Sequence, residues 1–70
     1  MNSELLKYYA AKSGFTLTNL AKMLGINAST LSRKLSGETD FTRSEIVLIK
    51  ECLNLSLADV DAIFFKQELA

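Results

Sequence analysis

Ala28, Ser29, Ser32 and Arg33 fall on one side of a helical pattern that runs from Ala28 to Ser36, opposite Leu31 and Leu35. A guanidinium such as that of Arg33 can donate two parallel hydrogen bonds to guanine O6 and N7, a match worth about 1–3 kcal/mol of discrimination between bases. Ser29 and Ser32 can donate to or accept from several base edges, and the Ala28 methyl can touch a thymine methyl. A second set, Thr18, Thr30, Lys34 and Arg43, offers the hydroxyls and cations that hold phosphate oxygens. For catalysis nothing comparable is present. There is no histidine, and the one cysteine, Cys52, lies among Ile49 and Leu53 as a core hydrophobe. With no Gly-rich phosphate loop and no paired-carboxylate motif either, no enzyme activity, metal ligand or cofactor is expected.

What must position these groups is a joint at Gly25-Ile26-Asn27. On its near side Leu17, Leu20, Ala21 and Leu24 recur at three-and-four spacing, which predicts a helix over 17–24 with Thr16 as its N-cap. Gly25 can take the left-handed conformation that ends a helix. Asn27 can then cap a second helix over 28–36 at once, with Ile26 filling the angle between them. Two short helices joined in this way form a helix-turn-helix, whose second helix enters the DNA major groove by its N-terminal residues. Ala28, Ser29, Ser32 and Arg33 lie where base edges would be met.

The remaining pattern supplies three more helices. One is expected over 3–13, with Glu4 at its positive end and Gly14 as its stop, followed by Phe15 as an apolar staple. Thr42-Arg43-Ser44-Glu45 fits a capping box and predicts a helix over 43–53, whose broad apolar face of Ile46, Val47, Ile49, Cys52 and Leu53 marks it as the central packing element. Asn54 can end that helix. Ser56 and Asp59 repeat the cap signal ahead of a fifth helix over 57–66, carrying Leu57, Val60, Ile63 and Phe64 and followed by a frayed tail. Seventy residues with no proline and three glycines thus predict one all-α domain over 1–70.

Formal net charge is zero, yet residues 1–43 hold six cations against three acids, and the remainder two cations against five acids. The helix-turn-helix lies in the basic part, as a nucleic-acid partner would require. No apolar run approaches the roughly 20 residues that span a bilayer, and Met1-Asn2-Ser3-Glu4 lacks the pattern of a signal peptide, so a cytoplasmic, nucleoid-associated protein is expected.

The run Leu17-Thr18-Asn19-Leu20-Ala21-Lys22-Met23-Leu24-Gly25-Ile26, followed by Ser29-Thr30-Leu31-Ser32-Arg33 and Gly37, resembles the Cro and phage-repressor family. The resemblance implies that Ala21 is the small residue at the helix crossing, Gly25 the turn glycine and Leu31 the buried residue of the recognition helix. Phe41-Thr42-Arg43-Ser44-Glu45 and Ile63-Phe64-Phe65 are similar to the corresponding parts of small prophage members. A five-helix, lambda-repressor-like DNA-binding fold is implied. One residue departs from the family's pattern: three positions after Leu31 the family usually has an apolar residue, and here stands Lys34. Its stem can cover apolar surface and lift the ammonium outward to a phosphate, with Leu35 taking the inward position on a slightly rotated helix.

The expected function is that of a sequence-specific transcriptional regulator, a prophage-type repressor binding a palindromic operator in double-stranded DNA as a homodimer. Adjacent Phe64 and Phe65 cannot easily both be buried on one side of a helix, so one is left for a partner and the pair marks the expected dimer contact. The other reading is that both rings close a small core from two directions. No membrane and no small-molecule effector is expected. The alternative is an antirepressor or scaffold, a protein-interaction module on the same fold without DNA binding, to which zero net charge and the acidic residues Glu38 and Asp40 would be suited.

Overall fold

Each α-helix among the described residues opens on a capping side chain. A computed structural model describes residues 1–65, which are helical throughout apart from the connections. The elements are α1 (Ser3–Lys12), α2 (Leu17–Leu24), α3 (Ala28–Ser36), α4 (Arg43–Cys52) and α5 (Leu57–Val60), the last running on into a wider, π-wound turn over Asp61–Phe65. The expected end of the fifth helix at 66 and the frayed tail lie outside the described residues.

The caps are specific. Asn2 begins α1, its carboxamide oxygen accepting the Leu5 N–H at 3.1 Å, a role the sequence reading did not give it. Thr16 caps α2 through the Asn19 N–H, and Asn19 returns its side-chain oxygen to the Thr16 N–H, closing a capping box. Thr42 with Glu45 and Ser56 with Asp59 do the same for α4 and α5. Left-handed residues follow α1 to α4: Gly14 at φ 81°, Gly25 at φ 72°, Gly37 at φ 88° and Asn54 at φ 53°.

The core is assembled by one large side chain from each segment, since Leu6, Leu20, Leu31, Ile49 and Ile63 are all fully buried. Two long-range polar links close the ends of the chain upon one another. The Asn2 N–H donates to the Ile63 carbonyl at 2.7 Å, and the Tyr9 hydroxyl donates to Asp59 at 2.9 Å. This link to Asp59 raises the Tyr9 hydroxyl above its ordinary pKa, while the Ser56 N–H and then the Tyr9 hydroxyl hold the Asp59 carboxyl below its own.

Three expectations are corrected. The apolar face of α4 is not buried across its breadth: Ile49 is buried and Ile46 half-buried, but Val47 is 46% exposed, and Leu48 is exposed as well. A helix covered by neighbours on one side buries a single stripe, and Val47 and Leu48 turn away from it. Cys52 is half-buried rather than enclosed. The fifth helix keeps α geometry only to Val60 before its winding widens.

Ile49→Ala should therefore cost about 2–5 kcal/mol, through lost contacts and the cavity left behind, whereas Val47→Ala should stay within about 0.5 kcal/mol. Urea denaturation of the two variants checks this, and equal losses would contradict the assigned stripe.

Candidate nucleic-acid interface

The angle between α2 and α3 is set where one helix stops and the next is capped within three residues. Gly25 donates its N–H to the Lys22 carbonyl at 3.1 Å, and the Ile26 N–H reaches back to Ala21 at 3.0 Å. Asn27 then accepts the Thr30 N–H at 2.8 Å. The Gly25 conformation would strain any larger residue, although a Cβ there meets nothing within 4 Å. The requirement at this position is thus one of backbone conformation alone.

This joint leaves Ala28, Ser29, Ser32 and Arg33 exposed on α3. The Ser29 hydroxyl donates to the Asn27 side chain at 2.9 Å, so its proton is engaged by the cap and its oxygen remains as an acceptor. Arg33 takes part in no salt bridge among the described residues. Ala28 and Ser32 line a groove of about 380 Å³ together with Thr18 at the start of α2 and Lys7 on α1. Arg33, Ser29 and Thr30 do not line it. Lys7 carries no local sequence signal for this place, because only the packing of α1 brings it beside α3.

Of the expected phosphate-binding residues, Thr18 and Arg43 are exposed and Thr30 is half-buried. Lys34 is the correction. It is only 8% exposed and occupies the buried side of α3 beside Leu31, while Leu35 is half-buried. Its ammonium lies 3.0 Å from Glu45 Oε1, donates to the Asp40 carbonyl at 2.9 Å, and stands 5.7 Å from the centroid of the Phe41 ring. The ammonium is turned inward because partners wait there. A cation held by a carboxylate, a carbonyl and an aromatic face is not free to meet a phosphate.

Glu45 serves two elements at once. Its Oε1 accepts the Thr42 N–H at 2.7 Å, completing the α4 capping box, and also faces Lys34. Burial by itself would raise its carboxyl, but the Thr42 N–H and the Lys34 ammonium together outweigh burial and hold it below its ordinary value. The Glu38 and Asp40 side chains are exposed.

At the far end of the chain the two phenylalanines divide. Phe64 packs edge-on against Phe41, with ring centroids 5.5 Å apart, and joins the core, whereas Phe65 is 63% exposed. Of the pair, Phe65 is the ring left exposed. Phe65 borders an apolar groove with Val47, Leu57 and Val60. No cluster of residues among those described is arranged to hold a metal ion, and no described helix is long and apolar enough to cross a membrane.

A family model described as helix-turn-helix matches residues 6–60, a span from within α1 to the end of α5. No curated protein and no solved structure matches the chain.

Because the Glu45 carboxyl is depressed in the folded state, its contribution to stability is present above the ordinary carboxylate range and is lost as pH falls through the depressed value. Lys34→Ala leaves that carboxylate without its cation and should cost about 3–5 kcal/mol at neutral pH. The gap from wild type should narrow as the pH is lowered through the carboxylate range. Urea denaturation at a series of pH values measures it, and a pH-independent gap would remove Glu45 as the partner.

Proposed function

The chain belongs to the Cro and phage-repressor family of helix-turn-helix proteins, a family of DNA-binding transcription regulators, and on that premise we propose that it is a repressor of the prophage type. It reads a palindromic operator as a dimer and acts by occupying the site. The observation that carries this reading is the bare face of α3, on which Ala28, Ser29, Ser32 and Arg33 are all exposed directly after the turn. In the docking mode of this motif these positions face base edges.

Within that reading Arg33 is the principal base contact, through its paired donors. Ser32 and Ala28, beside Thr18 in the groove, contribute weaker contacts to base edge and methyl. Thr18, Thr30 and Arg43 take phosphates, and these contacts position the protein without specifying sequence. Dimerisation follows from the operator's symmetry: two half-sites about 34 Å apart need two matching recognition helices. Exposed Phe65, with Leu57 and Val47 beside it, supports an apolar contact between copies.

Selection from random duplex DNA should return a palindrome. Arg33→Ala should lose about 1–3 kcal/mol of preference at one base pair in each half-site. An equal loss on every sequence would assign Arg33 to phosphate instead. Failure of the wild-type chain to form any DNA complex, even at low salt, would reject the DNA reading in favour of a protein-interaction module. Sedimentation of Phe65→Asp should show weakened association, and unchanged association would remove Phe65 from the interface.

A further inference from the structure

Six residues, Gly37 to Thr42, connect α3 to α4, and they end beside Arg43, the first residue of α4. At its start this connection is held by α3 itself, since the Glu38 N–H donates to the Arg33 carbonyl at 3.0 Å. At its end it is held by two side chains that meet, Lys34 and Glu45. The Lys34 ammonium takes the Asp40 carbonyl at 2.9 Å and Glu45 Oε1 at 3.0 Å, and the same Glu45 oxygen takes the Thr42 N–H at 2.7 Å. The Phe41 ring, buried between these two anchor points, lies 5.7 Å from the same ammonium.

We infer that Lys34 is a positioning residue for DNA binding: from the buried side of the recognition helix it clamps the α3–α4 connection and so sets where Arg43 stands relative to Arg33. The inference rests on the proposed role of Arg43 as a phosphate contact. An apolar residue in this place would fill the core as well, because a buried ion pair contributes little net stability after its desolvation. It could not bind a backbone carbonyl and a carboxylate on the next helix. What the lysine adds is therefore register, the best-attested use of a buried ion pair. The clamp also governs the acids of the connection. By holding the Asp40 backbone it fixes the position from which the exposed Asp40 side chain extends.

The test uses the whole chain with Lys34→Met and Glu45→Gln together. Methionine keeps an unbranched stem, and glutamine keeps an oxygen acceptor for the Thr42 N–H, so the charge pair is removed while the fill and the cap remain. In the DNA-free protein, ¹⁵N relaxation should show order parameters for residues 38–42 falling from about 0.85 towards 0.6 or below, with α1 to α3 unchanged. Unchanged values in the connection would overturn the clamp. On the selected operator, Arg43→Ala should reduce the slope of log affinity against log salt by about 0.9 in the wild-type background. In the double variant it should remove much less, because Arg43 has already lost its register.

An equal reduction of the slope in both backgrounds would overturn the positioning role while leaving DNA binding intact. Absence of a DNA complex with the wild-type chain would instead overturn the reading on which the inference rests. The order parameters, recorded without DNA, keep the two failures apart. Should the double variant not fold, Glu45→Gln alone retains the cap and is expected to move both readouts the same way by a smaller amount. No movement in either would reject the inference.

Discussion

Among the described residues the helices of this protein are at most ten residues long, below the length at which an isolated helix holds together in water, because nucleation costs more than so few internal hydrogen bonds return. Their ends therefore carry unusual weight. A ten-residue helix leaves most of its first-turn N–H and last-turn C=O groups without internal partners. Here these needs are met within a residue or two of each end: Asn2, Thr16, Asn27, Thr42 and Ser56 at the starts, and Gly25 and Gly37 at two of the stops. The turn between α2 and α3 is the most compressed instance. A stop and a cap separated only by Ile26 leave the chain one direction in which to leave, and that direction presents the face of α3 to solvent. The bare face of α3 thus follows from satisfying end groups under the constraint of short length.

Caps and turn glycines are local, and this is why so much of the fold could be read from the chain. Thr16, Gly25, Asn27, Thr42 with Glu45, and Ser56 with Asp59 each act on amides within three residues, so their spacing carries their function. The boundaries of α2 and α3 follow directly. Burial is different, because it depends on which neighbours arrive. The apolar residues of α4 could be counted, but no pattern within the helix tells that Ile49 is enclosed while Val47 and Leu48 stay exposed. The Asn2 link to Ile63 is equally beyond local spacing, since it joins residues from opposite ends of the chain.

Lys34 shows the same limit in the site itself. A lysine three residues after a buried leucine points by periodicity toward the core, and the ordinary resolution is for its stem to lie along the surface with the charge in water. What reverses that outcome is the carboxylate of Glu45, eleven positions away in sequence and brought to 3.0 Å by the return of the chain through Phe41. The departure from the family's pattern at this residue was legible. Its partner was not, because Glu45 already had a complete local explanation as the acceptor in the α4 capping box. One oxygen doing both tasks is invisible to a reading that assigns each polar side chain a single partner.

This double use ties the chemistry of the interface to the architecture. A carboxylate that only capped α4 would leave α4 free to shift as a unit against α3, because capping is internal to the helix it caps. Sharing the oxygen with Lys34 makes the start of α4 and the buried side of α3 a single hydrogen-bonded assembly. The aromatic contacts extend that assembly: Phe41 lies against the ammonium on one side and edge-on to Phe64 at 5.5 Å on the other. Phe65, beside Phe64, is exposed. The recognition helix and the exposed apolar end of the molecule are therefore joined through one lysine and two rings, without passing through the turn at Gly25. In a domain whose core takes one fully buried large side chain from each helical segment, such a second route keeps the exposed face of α3 from depending on the turn alone.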